Sequence, residues 1–504
     1  MWSKLPVKLA AFITKVMCYS EYSRFQRSLV RPEEAQSELL RKFIRDLACT
    51  EYGKHYGVCG DEDYSAFASK LPIHSYADME PWVTQQLVTQ QSIITPHSII
   101  HVEPTSGSSG SMKNIPYTQP LLRSFSNMLR VWVYDLLHHR LKLETGRIFI
   151  SVSPPTDKGG FTDDRAYLSG LMRTIFSLSL VMPPKSDAPN FLHNLALTLL
   201  REEKLEVISI WSPSYLLALL EYIFINRDTL VEGLSDSQRN VLLTSPINWK
   251  GVWPHLKMLS CWDNALAEPL VGQLQKIFPH VWIQGKGLLA TEAPITVPLA
   301  TSRGCLPLLG EVFLEFEAVG GEIKRIHELQ DGQHYQLIIT QSAGLTRYRM
   351  HDLVEVQGFY KNTPCLVFIG RSQICDMVGE KLNEIFVRQA LLPLFPTVKF
   401  LLVPWQNDGQ GYVLLVDDPI SDGLTERAEA SLCQAHHYAL ARHIGQLAPL
   451  RVQHIPALSL QLRSFHQQRG MKIGDIKDTV LITNLVQAEQ LLTYCSNNQI
   501  VEAA

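Results

Sequence analysis

Apolar residues recur every three or four positions along several segments, which is the spacing of amphipathic helices. This pattern predicts helices over residues 36–48, 120–141, 190–201 and 214–226. Shorter apolar runs bounded by proline, glycine or polar residues predict strands. These strands cover residues 147–152, 205–210, 281–284, 311–317, 335–340, 353–359 and 365–369. Helices and strands alternate in the first part of the chain, whereas a group of antiparallel strands is expected between about 308 and 360.

The pattern predicts an α/β fold with two domains. Residues 1–370 would form a large N-terminal domain of mixed sheets and helices with a small antiparallel β region. Residues 371–504 would form a small, mobile α+β domain, because an apolar strand meets a polar turn at Gly370-Arg371. The length of 504 residues agrees with more than one core.

Near the N-terminus, Leu9, Phe12, Ile13 and Val16 share one helical face. A helix packed through this face is predicted, and a membrane-surface anchor is the alternative. The segment is too short and too charged to span a bilayer, and no later stretch has the apolar length of a membrane helix.

Composition excludes some classes of function. The net charge of −3 gives no electrostatic footprint for a nucleic acid. Nine cysteines occur without a CxxC pair, which is expected for free thiols in a reducing, cytoplasmic compartment. The oligomeric state is not determined by these features.

The most informative stretch is residues 105–113, Thr-Ser-Gly-Ser-Ser-Gly-Ser-Met-Lys. Glycines at 107 and 110 allow successive backbone N–H groups to face one anion, and the hydroxyls and Lys113 add further donors. The spacing is neither that of a Walker A loop nor Gly-x-Gly-x-x-Gly. A polyphosphate-binding loop is therefore predicted, and a solvated Ser/Gly linker is the alternative.

Four other segments are compatible with nucleotide chemistry, although each has an ordinary structural explanation. They are Thr291-Glu292, the run from Arg347 to Asp352, Gly370-Arg371, and the loop from Gly470 to Lys477. A carboxylate beside a hydroxyl suits Mg²⁺ and phosphate oxygens, and a carboxylate at a strand end suits ribose hydroxyls. The alternatives are a solvated Glu292, an Arg349–Asp352 surface pair, and solubilising lysines.

The joint order of these segments resembles the acyl-adenylate-forming superfamily. Residues 105–113 fill every defined place of its loop pattern, [Ser/Thr]-[Ser/Thr]-Gly-[Ser/Thr]-[Ser/Thr]-Gly-x-x-Lys. Residues 47–57, 71–76, 115–118 and 470–477 further resemble the auxin-responsive, Gretchen Hagen-type acyl acid–amido synthetases and their bacterial relatives. The likeness covers nearly the whole chain.

The resemblance implies a role for each matching residue. Mg²⁺ and ATP are the implied cofactor and cosubstrate, and small carboxylic acids and amines are the implied substrates. The ATP phosphates would be held by Thr105, Ser106, Gly107, Ser108, Ser109, Gly110 and Lys113. Thr291 and Glu292 would lie at the nucleotide, with Glu292 on Mg²⁺, and Asp352 would bind ribose. Arg371 would lie at a hinge near the ribose, and Lys477 would bridge carboxylate and α-phosphate.

The sequence departs from the family pattern at three positions. Met112 replaces a proline or charged residue, and Ala290 stands where a second hydroxyl is frequent. His351 replaces the glycine usual before the ribose aspartate, so a different local turn is expected. Lys381 lies in a family-like segment, residues 379–384, but receives no role.

Three functions stay open at this point. The first is ATP-dependent amide synthesis from a carboxylic acid and an amine, and the second is the same adenylation with coenzyme A as acceptor. Against the second, the sequence offers no obvious basic patch for a 3′-phosphate. The third is nucleotide binding without turnover, which only the changes at Met112 and His351 support.

Overall fold

The computed structural model describes residues 5–106, 112–150, 170–183, 191–264, 267–372, 374–406, 409–469, 471, 476 and 478–502. Contacts group the chain into two compact units. The larger unit comprises Met1–Pro104, Asn114–Met350 and Val354–Phe368, and the smaller comprises Thr105–Lys113, His351–Leu353 and Ile369–Ala504. The domain boundary at residue 370 stays a prediction.

The chain begins with five helices. They are α1 (Leu5–Ser28), α2 (Pro32–Ala48), α3 (Glu51–His55), α4 (Tyr64–Lys70) and α5 (Tyr76–Thr89). The predicted helix at 36–48 is therefore confirmed and starts one turn earlier. Pro32 is compatible with this start because the first helical residue needs no N–H donor, and Glu33 and Glu34 favour it electrostatically.

Helix α1 forms as predicted, but the prediction of which face packs against the core is wrong. Leu9, Phe12 and Val16 are 57–61% exposed. The helix instead buries Cys18 and Phe25, which lie on another face. Two apolar faces are present on this helix, and periodicity alone could not show which one meets the core.

Two paired strands flank the predicted phosphate loop. They are β1 (Ile99–Ser106) and β2 (Met112–Thr118). The helix α6 (Gln119–Asp135) follows, and a π-helical turn (Leu136–Arg140) extends it, as the pattern over 120–141 predicted. The Thr118 side chain caps α6 by accepting a hydrogen bond from the Leu121 N–H group.

A four-stranded parallel sheet forms one core of the larger unit, with the order β3-β4-β5-β6. Its strands are β3 (Arg147–Ile150), β4 (Leu205–Ser209), β5 (Met258–Cys261) and β6 (Trp282–Gly285). The described helices between them are α7 (Gly170–Ser179), α8 (Phe191–Arg201), α9 (Pro213–Ile225), α10 (Arg227–Leu230), α11 (Asp236–Leu242), α12 (Trp249–Val252) and α13 (Glu268–Ile277), with a 3₁₀ turn at Val231–Gly233. Strands β4 and β5 are buried throughout, as parallel strands usually are.

A seven-stranded sheet follows, with the order β10-β9-β11-β12-β13-β8-β7. Its strands are β7 (Thr296–Pro298), β8 (Cys305–Pro307), β9 (Phe313–Ala318), β10 (Ile323–Arg325), β11 (His334–Thr340), β12 (Tyr348–Tyr360) and β13 (Thr363–Arg371), with a 3₁₀ turn at Ile326–Glu328. The antiparallel pairing of β9 with β11 confirms the antiparallel region predicted from 308 onward. A large apolar cluster packs this sheet against α6.

The smaller unit is α+β, as predicted. Its remaining elements are β14 (Ile374–Cys375), β15 (Leu382–Asn383), α14 (Glu384–Leu391), β16 (Phe400–Trp405), β17 (Gly411–Val416), α15 (Asp422–Leu432), α16 (His436–His443), β18 (Arg451–His454), α17 (Leu458–Gln468) and α18 (Leu485–Glu502). Strand β17 pairs antiparallel with β16 and parallel with β18. The core includes Leu401, Leu415, Phe465 and Leu491. Among the described residues, no helix combines the length and apolarity needed to cross a bilayer.

Candidate active site

The ends of the predicted phosphate loop lie on the two paired strands β1 and β2. Thr105 and Ser106 end β1, and Lys113 is the second residue of β2. Residues 107–111, which include Gly107, Ser108, Ser109 and Gly110, lie outside the described residues. Described strands therefore lie on both sides of the predicted loop, and the role of the loop residues stays a prediction.

The start of β2 is fixed by a buried tyrosine of α5. The Tyr76 hydroxyl accepts a hydrogen bond from the Asn114 N–H group (2.8 Å) and donates one to the Asn114 carbonyl oxygen (3.2 Å). Burial raises the pKa of Tyr76, so the phenol stays protonated and remains a donor at neutral pH. The N–H group and the carbonyl group of Asn114, near the start of β2, are thus both hydrogen-bonded to Tyr76.

A second tyrosine connects β2 to the segment that carries Glu292. Tyr117 is fully buried, and its ring stacks on Phe125 with 5.7 Å between centroids. Its hydroxyl donates a 2.7 Å hydrogen bond to the Thr291 carbonyl oxygen. This bond sets the position of the Thr291 backbone relative to β2.

Thr291 and Glu292 form the tip of a tight turn. Ala290 and Ala293 exchange two backbone hydrogen bonds of 3.2 Å each, and Leu289 forms an antiparallel bridge with Pro294. Both central residues are partly exposed. A carboxylate is the kind of ligand that a hard cation such as Mg²⁺ prefers, so the residue type at position 292 agrees with the predicted role, which stays a prediction.

Asp352 pairs with another predicted site residue, Arg371. Arg371 Nε lies 3.3 Å from Asp352 Oδ1, and the Asp352 side chain is only 5% exposed. The alternative pairing of Arg349 with Asp352 is wrong, because Arg349 makes a two-pronged ion pair with Glu317 (2.9 and 3.1 Å). The structure therefore brings together two residues that the sequence suggested separately.

The expectation that Asp352 lies at a strand end is wrong, since β12 runs from Tyr348 to Tyr360. The strand is distorted at His351, where φ is 64°, yet its pairing continues because the Ser372 N–H group donates to the His351 carbonyl (2.8 Å). A positive φ is the conformation that glycine adopts most easily. A backbone suited to glycine is thus present at His351, contrary to the predicted change of turn.

The predicted hinge has a steric requirement for glycine. Gly370 has φ of 151°, and a Cβ atom there would lie 2.7 Å from the Ile385 side chain. Arg371 follows at the end of β13. These contacts explain the glycine locally, and hinge motion stays a prediction.

The predicted catalytic Lys477 lies outside the described residues, but the backbone directly after it is anchored. Lys399 Nζ lies 2.9 Å from Asp478 Oδ1. Glu384 Oε1 accepts hydrogen bonds from the Thr479 hydroxyl (2.5 Å) and the Val480 N–H group (3.1 Å). The residues that directly follow Lys477 are therefore bonded to Lys399 and Glu384 of the smaller unit.

Sequence reasoning assigned no role to Tyr76 and Tyr117. Both lie in segments that resemble the family, and Tyr117 shares one face of β2 with the buried Ile115. A local pattern could not show which backbone groups the two hydroxyls reach, because Asn114 and Thr291 are distant from them along the chain.

Two family descriptions match the chain. The GH3 family N-terminal domain matches residues 21–247, and the GH3 family central domain matches residues 306–371. A probable indole-3-acetic acid-amido synthetase, GH3.12 of Oryza sativa subsp. japonica, is 22% identical over 71% of this chain and 72% of the relative. The jasmonoyl–L-amino acid synthetase GH3.5 of the same organism is 23% identical over 72% and 74%.

Solved structures agree on the fold. The AtGH3.15 acyl acid amido synthetase in complex with 2,4-DB superposes with a TM-score of 0.76 and 17% identity, covering 96% of each chain. A 2-hydroxyisobutyryl-CoA ligase with a bound acyl-AMP gives a TM-score of 0.57 and 13% identity over 95% and 94%.

The fold is therefore that of the adenylate-forming enzymes. The chain belongs to the GH3 family, as the two family domains establish. It is a ligase of the acyl acid–amido synthetase class.

The conformation of His351 leads to a stability prediction. His351→Gly should leave the free energy of unfolding within about 1 kcal/mol of the parent, because glycine tolerates a positive φ. His351→Val should destabilise by about 1–3 kcal/mol, since a β-branched residue is strained there. Urea unfolding measures both. Gln357→Val, at an exposed position of the same strand, is the control and should change stability little. Equal free energies of unfolding for the Gly and Val variants would contradict the proposal that the backbone at position 351 is strained for a β-branched residue.

Proposed function

We propose that the protein activates a carboxylic acid with ATP as an acyl adenylate and then transfers the acyl group to an amino acid or a similar amine. In the first step a carboxylate oxygen attacks the α-phosphorus and pyrophosphate leaves. In the second step the amine nitrogen attacks the acyl carbonyl, loses a proton and releases AMP. The product is an amide.

The observation that carries this proposal is the link from Tyr117 to Thr291. This hydrogen bond holds the turn with Glu292 on the strand that leaves the Ser/Gly loop. In this proposal the loop residues 105–113 hold the triphosphate, and Glu292 serves its cation. Mg²⁺ would be held by Glu292 together with phosphate oxygens and would neutralise their charge.

A second observation supports nucleotide binding. Asp352 keeps an ionised partner, Arg371, at 3.3 Å, and its carboxylate has further lone pairs. A ribose presents two neighbouring hydroxyl donors, which one carboxylate can accept. Arg371 would orient the carboxylate for this role.

The chemistry requires positive charge, because the acid and ATP are both anions. Preorganised donors stabilise the developing charge more effectively than water does. Lys477 would supply an ammonium group between the acid's carboxylate and the α-phosphate. Asp478 and Thr479, through Lys399 and Glu384, would limit the motion of that loop.

Coenzyme A is the alternative acceptor, since a CoA ligase shares the fold. The amine is favoured because the matched relatives are named amido synthetases. The test incubates the protein with ATP, Mg²⁺, mixed carboxylic acids, and either amino acids or coenzyme A, and mass spectrometry identifies the products. An amide with AMP is expected. A thioester would favour the alternative, and absence of pyrophosphate with every acid would favour nucleotide binding without turnover.

Lys477→Ala should slow adenylation by about a hundredfold or more, which is the scale for losing one transition-state charge contact. Acid-dependent ATP–pyrophosphate exchange measures this step alone. Lys472→Ala, in the same loop, is the matched control and should retain exchange. Near-normal exchange by Lys477→Ala would reject its role.

Asp352→Asn should reduce discrimination between ATP and 2′,3′-dideoxy-ATP, because a neutral amide accepts ribose hydroxyls less strongly. Hydrogen bonds to charged groups contribute about 1.5–3 kcal/mol. The ratio of kcat/KM for ATP to kcat/KM for 2′,3′-dideoxy-ATP should therefore be about tenfold or more lower in the variant than in the parent. Glu355→Gln, three residues along β12, is the control and should keep the preference. An unchanged preference in Asp352→Asn would remove Asp352 from the ribose site.

A further inference from the structure

One face of helix α1 carries a row of apolar side chains that are exposed to solvent. The row consists of Leu9, Phe12, Val16 and Tyr19, each more than half exposed. Their spacing of three and four residues places them on one face of the helix. A helix that is apolar on all sides is normally buried, and contiguous exposed apolar side chains mark an interaction surface. We call these four residues the α1 row.

The opposite face of α1 is packed against the larger unit. Cys18 and Phe25 are buried there, and Arg130 Nη1 of α6 lies 3.9 Å from Glu21 Oε2. The helix is therefore anchored through one face while the α1 row points away from the core.

The charged residues beside the row are basic. Helix α1 contains four basic residues and a single acidic one, Glu21, although the whole chain has a net charge of −3. Lys8 and Lys15 lie four residues before and three residues after Phe12, so they flank the row. Arg27 is exposed near the end of the helix. The row therefore has a border of positive charge.

The π-helical turn adds a second basic segment next to the row. The Tyr19 ring lies 5.8 Å from the ring of Tyr134, which stacks on His138 at 5.3 Å. His138, Arg140 and Lys142 are exposed, and residues 136–143 include no acidic residue. Two elements that are distant along the chain thus contribute positive charge to one region of the larger unit.

An apolar row with a basic border is complementary to an anionic lipid surface. Aromatic and aliphatic side chains on one helix face enter the boundary between headgroups and acyl chains, and lysines beside them reach the phosphates. Each basic residue near an anionic membrane strengthens the attraction. A second copy of this chain docked through the same face would instead bring Lys8 and Lys15 of both copies to one interface, where like charges oppose association. The charge therefore favours lipid over a second copy.

We propose that the α1 row and its basic border bind the protein peripherally to a membrane surface that contains anionic lipids. Helix α1 lies in the plane of the interface, with Phe12 and Val16 towards the acyl chains and Lys8 and Lys15 at the headgroups. The inference concerns a surface outside the candidate active site and does not depend on the proposed reaction.

Co-sedimentation with vesicles of phosphatidylcholine and phosphatidylserine tests the proposal, with vesicles of phosphatidylcholine alone for comparison. The parent should bind the anionic vesicles about tenfold or more tightly than the neutral ones, and added salt should weaken this binding. Phe12→Gln should weaken it about tenfold or more, because the aromatic side chain no longer leaves water. Lys8→Gln combined with Lys15→Gln should weaken it by about the same factor.

Matched controls change the same residue types elsewhere on the larger unit. Phe359→Gln removes an exposed aromatic side chain of β12, and Lys250→Gln combined with Lys276→Gln removes two exposed lysines. Both controls should bind vesicles as the parent does. Val16→Asn is a second variant of the row, and urea unfolding shows whether each variant keeps the stability of the parent.

Several results would overturn the inference. They are absence of parent binding to anionic vesicles, equal binding to neutral vesicles, and unchanged affinity in either the row variants or the double lysine variant of α1. Sedimentation equilibrium tests the alternative occupant. A parent dimer that Phe12→Gln converts into a monomer, without vesicle binding by either, would assign the row to a second copy of the chain.

Discussion

The hydrogen bond from the Tyr117 hydroxyl to the Thr291 carbonyl is the interaction on which the candidate site depends. It joins strand β2, which leaves the Ser/Gly loop, to the turn that presents Glu292. A buried hydrogen bond contributes only about 1 kcal/mol net, but an unpaired buried partner costs more. Tyr76 adds two further bonds at Asn114. Tyr76 therefore fixes the start of β2, and Tyr117 connects the same strand to the Thr291–Glu292 turn.

Charge placement is the second constraint. The proposed reaction joins two anions, so cations must be positioned in advance and not simply be present. Arg371 is fixed by Asp352, and Lys286 is fixed by a hydroxyl and two indole faces. The chain as a whole is slightly acidic. Local contacts, and not the net charge of the chain, therefore set the positions of these two cations.

Prediction from sequence succeeded where local pattern decides the outcome. The helices at 36–48 and 190–201, the buried strand β4 and the antiparallel strands β9 and β11 were all predicted. It failed where two patterns competed. Helix α1 has two apolar faces, and the face containing Phe12, which the pattern predicts to pack, is exposed. The pairing of Asp352 with Arg371 rather than Arg349 depends on strand register, which no local pattern specifies.

The sequence by itself determined the class of protein, because the order of the Ser/Gly loop, Thr291-Glu292, Asp352 and the late lysine is a linear property of the chain. It also determined the α/β architecture, since hydrophobic periodicity reflects burial directly. Only the tertiary structure decided which side chains meet. Tyr117 with Thr291, and Lys286 with Trp132 and Trp211, are separated along the chain and are brought together by sheet order and helix packing. Contacts between distant residues depend on the three-dimensional path of the backbone, which periodicity does not encode.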